Sequence, residues 1–157
     1  MATALTFRDS LTPALAAQAR KLADPRPILE AMGKGMAEIA HRSFNEPSQR
    51  AAPWAALKAR TIKEKIRAGK STAILKRNVV LARSFHPVKL TRTSVQVTST
   101  QPYALPLQTG SKRGLPPRPM LPFIGSDPAT ATLAPFAAEK IRKIGQAKLN
   151  SLLSGAS

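Results

Sequence analysis

The residues best suited to chemistry in this chain are few and lie far apart. The two histidines, His41 and His86, fall in a helical and a strand pattern, without the paired spacing of a zinc-protease helix. The chain has no cysteine, which excludes disulfides, thiolate metal sites and thiol catalysis. The eight carboxylates are scattered, and no two have the spacing of a general acid and base. We therefore predict that the protein is not an enzyme and holds no metal or cofactor.

Two glycine-containing segments resemble phosphate-binding loops only in part. Gly69-Lys70-Ser71 has the end of a P-loop, but the glycine required five residues earlier is Glu64. Gly33-Lys34-Gly35 lacks the third glycine of a dinucleotide fingerprint and lies inside a helical pattern. No Gly-x-Ser-x-Gly nucleophile elbow is present in the sequence. We interpret neither segment as a nucleotide site.

The strongest signal in the sequence is its positive charge. The 157 residues carry a formal net charge of +17, and no acidic residue occurs between Lys65 and Ser126. Such charge fits either a surface that solvent or an acidic neighbour neutralises, or contact with a polyanion such as nucleic acid. Because aromatic rings are few, contact with the phosphate backbone is favoured over base stacking. The basic segment that we predict to face DNA or an acidic partner comprises Lys63, Lys65, Arg67, Lys70, Lys76 and Arg77.

Helical patterns lie towards both ends of the chain. Thr12-Pro13 predicts the start of an N-terminal helix, and a second helix is expected from near Pro27 to Pro47. Glycines in this second helix leave room for a close neighbour. A final amphipathic helix is predicted to begin at Asp127-Pro128. Between these, Thr61 to Glu64 matches a capping box for a short helix that ends at a Gly69 cap.

The middle of the chain has strand and proline-rich patterns. Residues 74–100 favour strand, with a hairpin turn near residues 91–93. Residues 101–128 hold seven of the fourteen prolines, which predicts an extended arm instead of a helix or central strand. The apolar side chains of this arm need a surface to pack against. Packing on a neighbouring subunit and packing on its own subunit are two alternatives of equal weight. For the first alternative, the predicted interface residues are Tyr103, Gln108, Arg118, Leu121 and Phe123. The only tryptophan, Trp54, is predicted to be a buried anchor.

These patterns predict one α+β domain over residues 1–157. It has N-terminal helices, a central antiparallel β-hairpin or small sheet, a Pro-rich extended arm and a C-terminal amphipathic helix. Residues 1–26 are expected to form an N-terminal helix with a linker, and residues 27–100 a core of helix plus hairpin. Residues 101–128 form the arm, and residues 129–153 the last helix. No secretory signal and no apolar run near the roughly 20 residues of a bilayer span are present, so we predict no membrane partner.

Several short motifs follow one another along the chain in a recognisable order. They are Phe44, Trp54-Ala55-Ala56-Leu57, Ile74-Leu75, Leu81-Ala82-Arg83-Ser84, Val95-Gln96-Val97, Tyr103-Ala104, Gln108-Thr109-Gly110 and Pro116-Pro117-Arg118-Pro119-Met120-Leu121. This order resembles the phage virion morphogenesis family, the tail-completion proteins of Mu-like phages and prophages, over about residues 27–128. The chain departs from the family pattern at two positions: Val80 stands where a glycine is usual, and Leu107 stands where a histidine is common.

The resemblance implies a structural protein of virion assembly that completes the tail or joins the tail to the head. It implies a homo-oligomeric ring beside connector, tail-terminator or tail-tube proteins, with sequence-nonspecific contact to double-stranded DNA possible in the channel. The expected location is the virion, at the head–tail junction or upper tail, after assembly in the host cytoplasm. The alternative function, which the charge alone supports, is a monomeric basic nucleic-acid-binding protein.

Overall fold

A computed structural model describes residues 23–76, 79–112, 114–125 and 130–154 of the chain, with backbone only for residues 88 and 89. The described elements are four α-helices and two small antiparallel sheets, which confirms the α+β class. The N-terminal helix predicted from Thr12-Pro13 lies outside the described residues. The elements below are numbered in chain order.

Helix α1 spans Arg26–Ser43 and agrees with the helix predicted near Pro27. Pro25 precedes its first residue, and the Asp24 carboxylate accepts a hydrogen bond from the Arg26 backbone N–H (3.1 Å). That bond satisfies one of the amide donors that every helix leaves open at its start. Helix α1 is the central element, because the hairpin and the last helix both contact it.

Helix α4 spans Pro135–Ser154 and packs along α1. The buried residues between them are Ile39 on α1 and Ala137 and Ile141 on α4. Partly buried side chains surround these three, and together they form what we call the helix core; the surrounding residues are Met32, Met36, Leu133, Phe136 and Ile144. The predicted start of this helix at Asp127-Pro128 is wrong, because residues 132–133 form a strand and Pro135 begins the helix.

The predicted hairpin is confirmed. Strand β1, Phe85–Leu90, pairs antiparallel with β2, Val95–Ser99, and the register shifts between Pro87 and Lys89. In the turn, the Thr91 hydroxyl accepts hydrogen bonds from two backbone N–H groups, those of residues 93 and 94. A second sheet pairs β3, Phe123–Ile124, with β4, Thr132–Leu133.

The strand pattern of residues 74–100 begins too early: residues 74–76 and 79–84, which the structure describes, are not in a strand. Leu75 and Val79 have φ angles of 59° and 60°, and left-handed backbone at two positions interrupts an extended chain. A short 3₁₀ helix, Ala82–Ser84, follows. Leu81 and Ala82 are buried there, so the apolar run that indicated a strand instead fills a core.

Two helix predictions in the middle of the chain also need correction. Helix α2 spans Ala59–Arg67, so it begins before the predicted capping box, and no side chain caps it. Its end is as predicted: Gly69 has a φ of 61°, and the backbone N–H groups of residues 69 and 70 donate to the carbonyls of residues 66 and 65. Helix α3, Ala104–Thr109, lies in the arm predicted to lack helix. Pro106 is tolerated because it lies in the first turn, where its missing N–H has no intrahelical partner.

Candidate functional site

Trp54 is buried at the centre of a second hydrophobic cluster, with 7% of its surface exposed. The Phe44 ring meets it edge-on, with centroids 5.4 Å apart and planes at 77°. On its face lies the Arg50 guanidinium, 3.9 Å from the ring centroid, and burial lowers the pKa of Arg50. The indole N–H donates to the carbonyl oxygen of Pro119 (2.8 Å). We call this cluster the aromatic core; its buried members are Phe44, Trp54, Leu81, Ala82, Ala104 and Met120.

Arg118 lies inside the subunit, with 6% of its surface exposed. Its Nε donates to the Ala55 carbonyl (3.1 Å) and its Nη2 to the Ala56 carbonyl (3.3 Å). Its backbone N–H donates to the Leu107 carbonyl (2.7 Å). The side chain therefore ties the arm to the loop that carries Trp54.

Gln108 fixes the next residues of the arm. Its Oε1 accepts hydrogen bonds from the backbone N–H groups of Met120 (2.8 Å) and Leu121 (3.0 Å). Its Nε2 donates to the Leu121 carbonyl (3.0 Å). The side chains of Trp54 and Gln108 thus hold the backbone of residues 119–121 by hydrogen bonds. Of the two surfaces considered for the arm, its own subunit is the one that this part contacts.

The five predicted interface residues differ in accessibility. Arg118 is buried, Gln108 and Leu121 are half-buried in the bonds just described, and Phe123 is half-buried beside the helix core. Tyr103 is 45% exposed. A role in a subunit interface stays a prediction for all five, and Tyr103 offers the largest free surface.

The basic segment lies on helix α2 and the loop that follows it. Lys63, Arg67 and Lys70 are exposed, and the first two are one helical turn apart, on one face. Lys65 and Lys76 are half-buried: the Lys65 ammonium donates to the Ala73 carbonyl (2.6 Å), and the Lys76 ammonium donates to the Asn45 side chain. Arg77 lies outside the described residues.

The acidic residues of the described part are already paired locally. Five of the six form ion pairs with cations two or four residues away; the pairs are Asp24–Arg26, Glu30–Lys34, Glu38–Arg42, Glu64–Arg60 and Glu139–Lys143. The one acid within the basic segment, Glu64, is therefore bound to Arg60 (2.9 Å). Within the described ranges, Lys63, Arg67 and Lys70 form no ion pair, so their charge faces solvent or a partner.

The two histidines lie on different elements, one on α1 and one on β1. His41 is exposed near the end of α1, and the His86 Nδ1 lies 2.9 Å from the Ser84 carbonyl oxygen. Among the residues that the structure describes, no group of three or more histidine, cysteine or acidic side chains is placed to hold a metal ion. In the same ranges, no helix is both long enough and apolar enough to span a bilayer.

Three features of the site were missed by sequence reasoning. The stacking of Arg50 on Trp54 had a weak signal, since an arginine four residues before a lone tryptophan suits cation–π contact. The Gln108 contacts had none, because they depend on how residues far along the chain approach. An open apolar cleft beside Val79 and Val80 was hidden by the strand interpretation of that segment.

The fold and these surfaces define a small, basic α+β protein with exposed cations on α2 and the loop that follows it. The chain belongs to the phage virion morphogenesis family, whose model matches residues 7–133. No curated protein and no solved structure matches the chain at a significant level. The family gives this protein a structural role in virion assembly and associates it with the virion.

Proposed function

We propose that this protein completes the phage tail or joins the tail to the head, as one subunit of a ring around the DNA channel. The observation that carries the proposal is the exposed basic face formed by Lys63, Arg67 and Lys70, in a chain of the virion morphogenesis family. Within the described ranges these three cations form no ion pair, and exposed cations of this kind suit a surface that meets DNA phosphates or an acidic neighbour.

Size supports a ring over a single copy. A domain of 157 residues has a radius of gyration of about 15 Å, which is too small to enclose a duplex alone. Several copies that meet through head-to-tail contacts close around an axis. Repulsion between like charges keeps the basic face away from such contacts, so that it is free to face the channel or an acidic partner.

A charge reversal with a matched control tests the basic face. The triple variant Lys63→Glu/Arg67→Glu/Lys70→Glu changes exposed side chains only. The control, Arg83→Glu/Arg92→Glu/Lys112→Glu, changes the net charge equally at exposed positions elsewhere. We expect the first variant to fold and melt normally but to be recovered in purified virions at a small fraction of the control. Equal recovery of the two would overturn the role of the basic face.

Copy number and location test the ring itself. Quantitative mass spectrometry of purified virions should find several copies per particle, cross-linked to proteins of the neck or upper tail. One copy per particle, or cross-links confined to the tail tip, would contradict the ring at the junction. If free protein instead binds DNA at physiological salt with a steep salt dependence and is not recovered in virions, the monomeric nucleic-acid-binding function is the correct one.

A further inference from the structure

An open apolar cleft of about 280 Å³ lies between the loop after α2 and the start of α3. Its wall is formed by leucine, valine and tyrosine side chains together with one lysine; the principal residues are Leu57, Lys65, Leu75, Val79, Val80 and Tyr103. The cleft is lined by one residue from each of two sets that were predicted separately: Lys65 belongs to the basic segment, and Tyr103 belongs to the predicted interface.

Three of the apolar side chains at this cleft are exposed. Val79, Val80 and Tyr103 retain 47%, 49% and 45% of their surface. Three of the seven exposed large hydrophobic residues in the described part of the chain therefore gather at one cleft. Clustered exposure of this kind marks a binding surface, whereas single exposed apolar residues are ordinary.

The backbone is strained at two residues of the cleft wall. Val79 has a φ of 60°, a left-handed conformation that a β-branched residue rarely adopts. Leu75, on the same wall, has a φ of 59°. Strained residues that present apolar surface are typical of functional surfaces, where a bound partner compensates for the strain.

Positive charge adjoins the same wall. The cation that lines the cleft is Lys65, whose ammonium donates to the Ala73 carbonyl (2.6 Å). Lys63 and Arg67, each two residues from Lys65, lie on the opposite face of α2. The sequence has no acid between residues 65 and 126 to balance them. A second copy of this chain would bring more positive charge, and the phosphate-covered surface of duplex DNA has no protruding apolar side chains to fill a cleft of leucine, valine and tyrosine. The complementary occupant is a protein segment with both apolar and acidic side chains.

We propose that this cleft binds an acidic segment of a neighbouring virion protein, with apolar side chains between Val79, Val80 and Tyr103 and a carboxylate against Lys65. The proposal rests on the proposed function, because it names the chemistry of one partner at the assembly site. Of the two partners predicted for the basic segment, DNA and an acidic protein, the acidic protein is the one proposed to contact Lys65 at the cleft.

A photo-crosslinking amino acid at position 80, introduced in phage-producing cells, identifies what occupies the cleft. We expect a cross-link to a peptide of another virion protein in which apolar residues are flanked by Asp or Glu. The same probe at Ile124, which is 50% exposed outside the cleft, should not capture that peptide. A cross-link to DNA, to a second copy or to residues 1–22 of the same chain would overturn the proposal, as would no cross-link at all.

Two substitutions test the cleft independently. Val80→Asp and Tyr103→Asp each introduce a negative charge at an exposed position of the cleft, where it would repel the carboxylates of the partner. We expect each to melt within a few degrees of wild type but to lower recovery in virions about tenfold or more. Ile124→Asp is the control for exposure and should assemble normally. Normal assembly of both cleft variants would overturn the proposal.

The outcomes separate this inference from the proposed function. Several copies per virion at the junction, with no acidic peptide captured at position 80, would defeat the cleft proposal alone. If position 80 captures an acidic peptide but the protein is present as one copy per particle, or lies outside the junction, only the ring proposal would be overturned.

Discussion

Arg118 combines burial with a positive charge that, within the described residues, is matched by backbone carbonyls and not by a carboxylate. Truncation of the side chain removes both hydrogen bonds between the arm and the loop of Trp54. Because buried groups that lose their partners cost about 1–3 kcal/mol, we expect Arg118→Ala to lower the free energy of unfolding by about that amount. Arg83→Ala, at an exposed arginine, should stay within about 0.5 kcal/mol of wild type. Urea denaturation measures both, and equal stability would contradict the structural role.

Asp24 gives a prediction for pH. Hydrogen bonds from the Arg26 guanidinium, and then from its backbone N–H, lower the pKa of Asp24 from 3.8 to about 2. The folded-state pKa lies below the unfolded value, so the stabilisation is present above pH 3.8 and is lost as the pH falls towards 2. An NMR titration of the Asp24 carboxyl carbon should have its midpoint near 2, and Arg26→Gln should move it back towards 3.8. A wild-type midpoint near 3.8 would show that the pair does not form in solution.

Helix α1 depends on the absence of side chains at two of its positions. A Cβ at Gly33 would lie 2.6 Å from Val95 Cγ2 on the hairpin, and one at Gly35 would lie 2.5 Å from Ile144 Cδ1 on α4. Valine has only χ1 to relieve the clash, whereas the isoleucine δ-methyl can also turn about χ2. The two glycines therefore differ in how well alanine is tolerated.

We expect Gly33→Ala to destabilise the protein by about 1–2 kcal/mol, because overpacking outweighs the gain of about 1 kcal/mol in helix propensity. Gly35→Ala should remain within about 1 kcal/mol of wild type, since its clash is relieved more easily. Thermal melting followed by circular dichroism compares them. The double variant Gly33→Ala/Val95→Ala should be more stable than the sum of its single changes, and strict additivity would show that this contact is not the cause.

The elements that could be predicted from sequence are those whose signals are local. Helix α1 and the hairpin follow from apolar spacing and turn residues within a short window. The segment around Val79 could not be predicted, because β-branched residues favour strands only where a neighbouring strand is available. The hydrogen bonds of Arg118 and Gln108 could not be predicted either. Arg118 contacts Ala55, which is 63 residues away in the sequence, and no local sequence pattern indicates such a contact.

The helix core and the aromatic core of the described part of the chain are linked by one helix. Ile39 places α1 in the helix core, and Phe44, the residue that follows α1, lies in the aromatic core. The hairpin contacts α1 as well, so loss of α1 removes support from both cores at once. We therefore expect the chain to unfold as one cooperative unit, which is the single domain predicted from its length.

The lone tryptophan makes cooperativity measurable. Trp54 fluorescence reports the aromatic core, whereas far-ultraviolet circular dichroism is dominated by α1 and α4. Ile141→Ala removes a side chain from the helix core that is 6% exposed, and should cost about 2–5 kcal/mol. In a single unit both signals shift to the same lower midpoint, although Ile141 does not belong to the aromatic core. A fall in the circular dichroism midpoint with unchanged Trp54 fluorescence would show that the cores unfold separately and that α1 does not couple them.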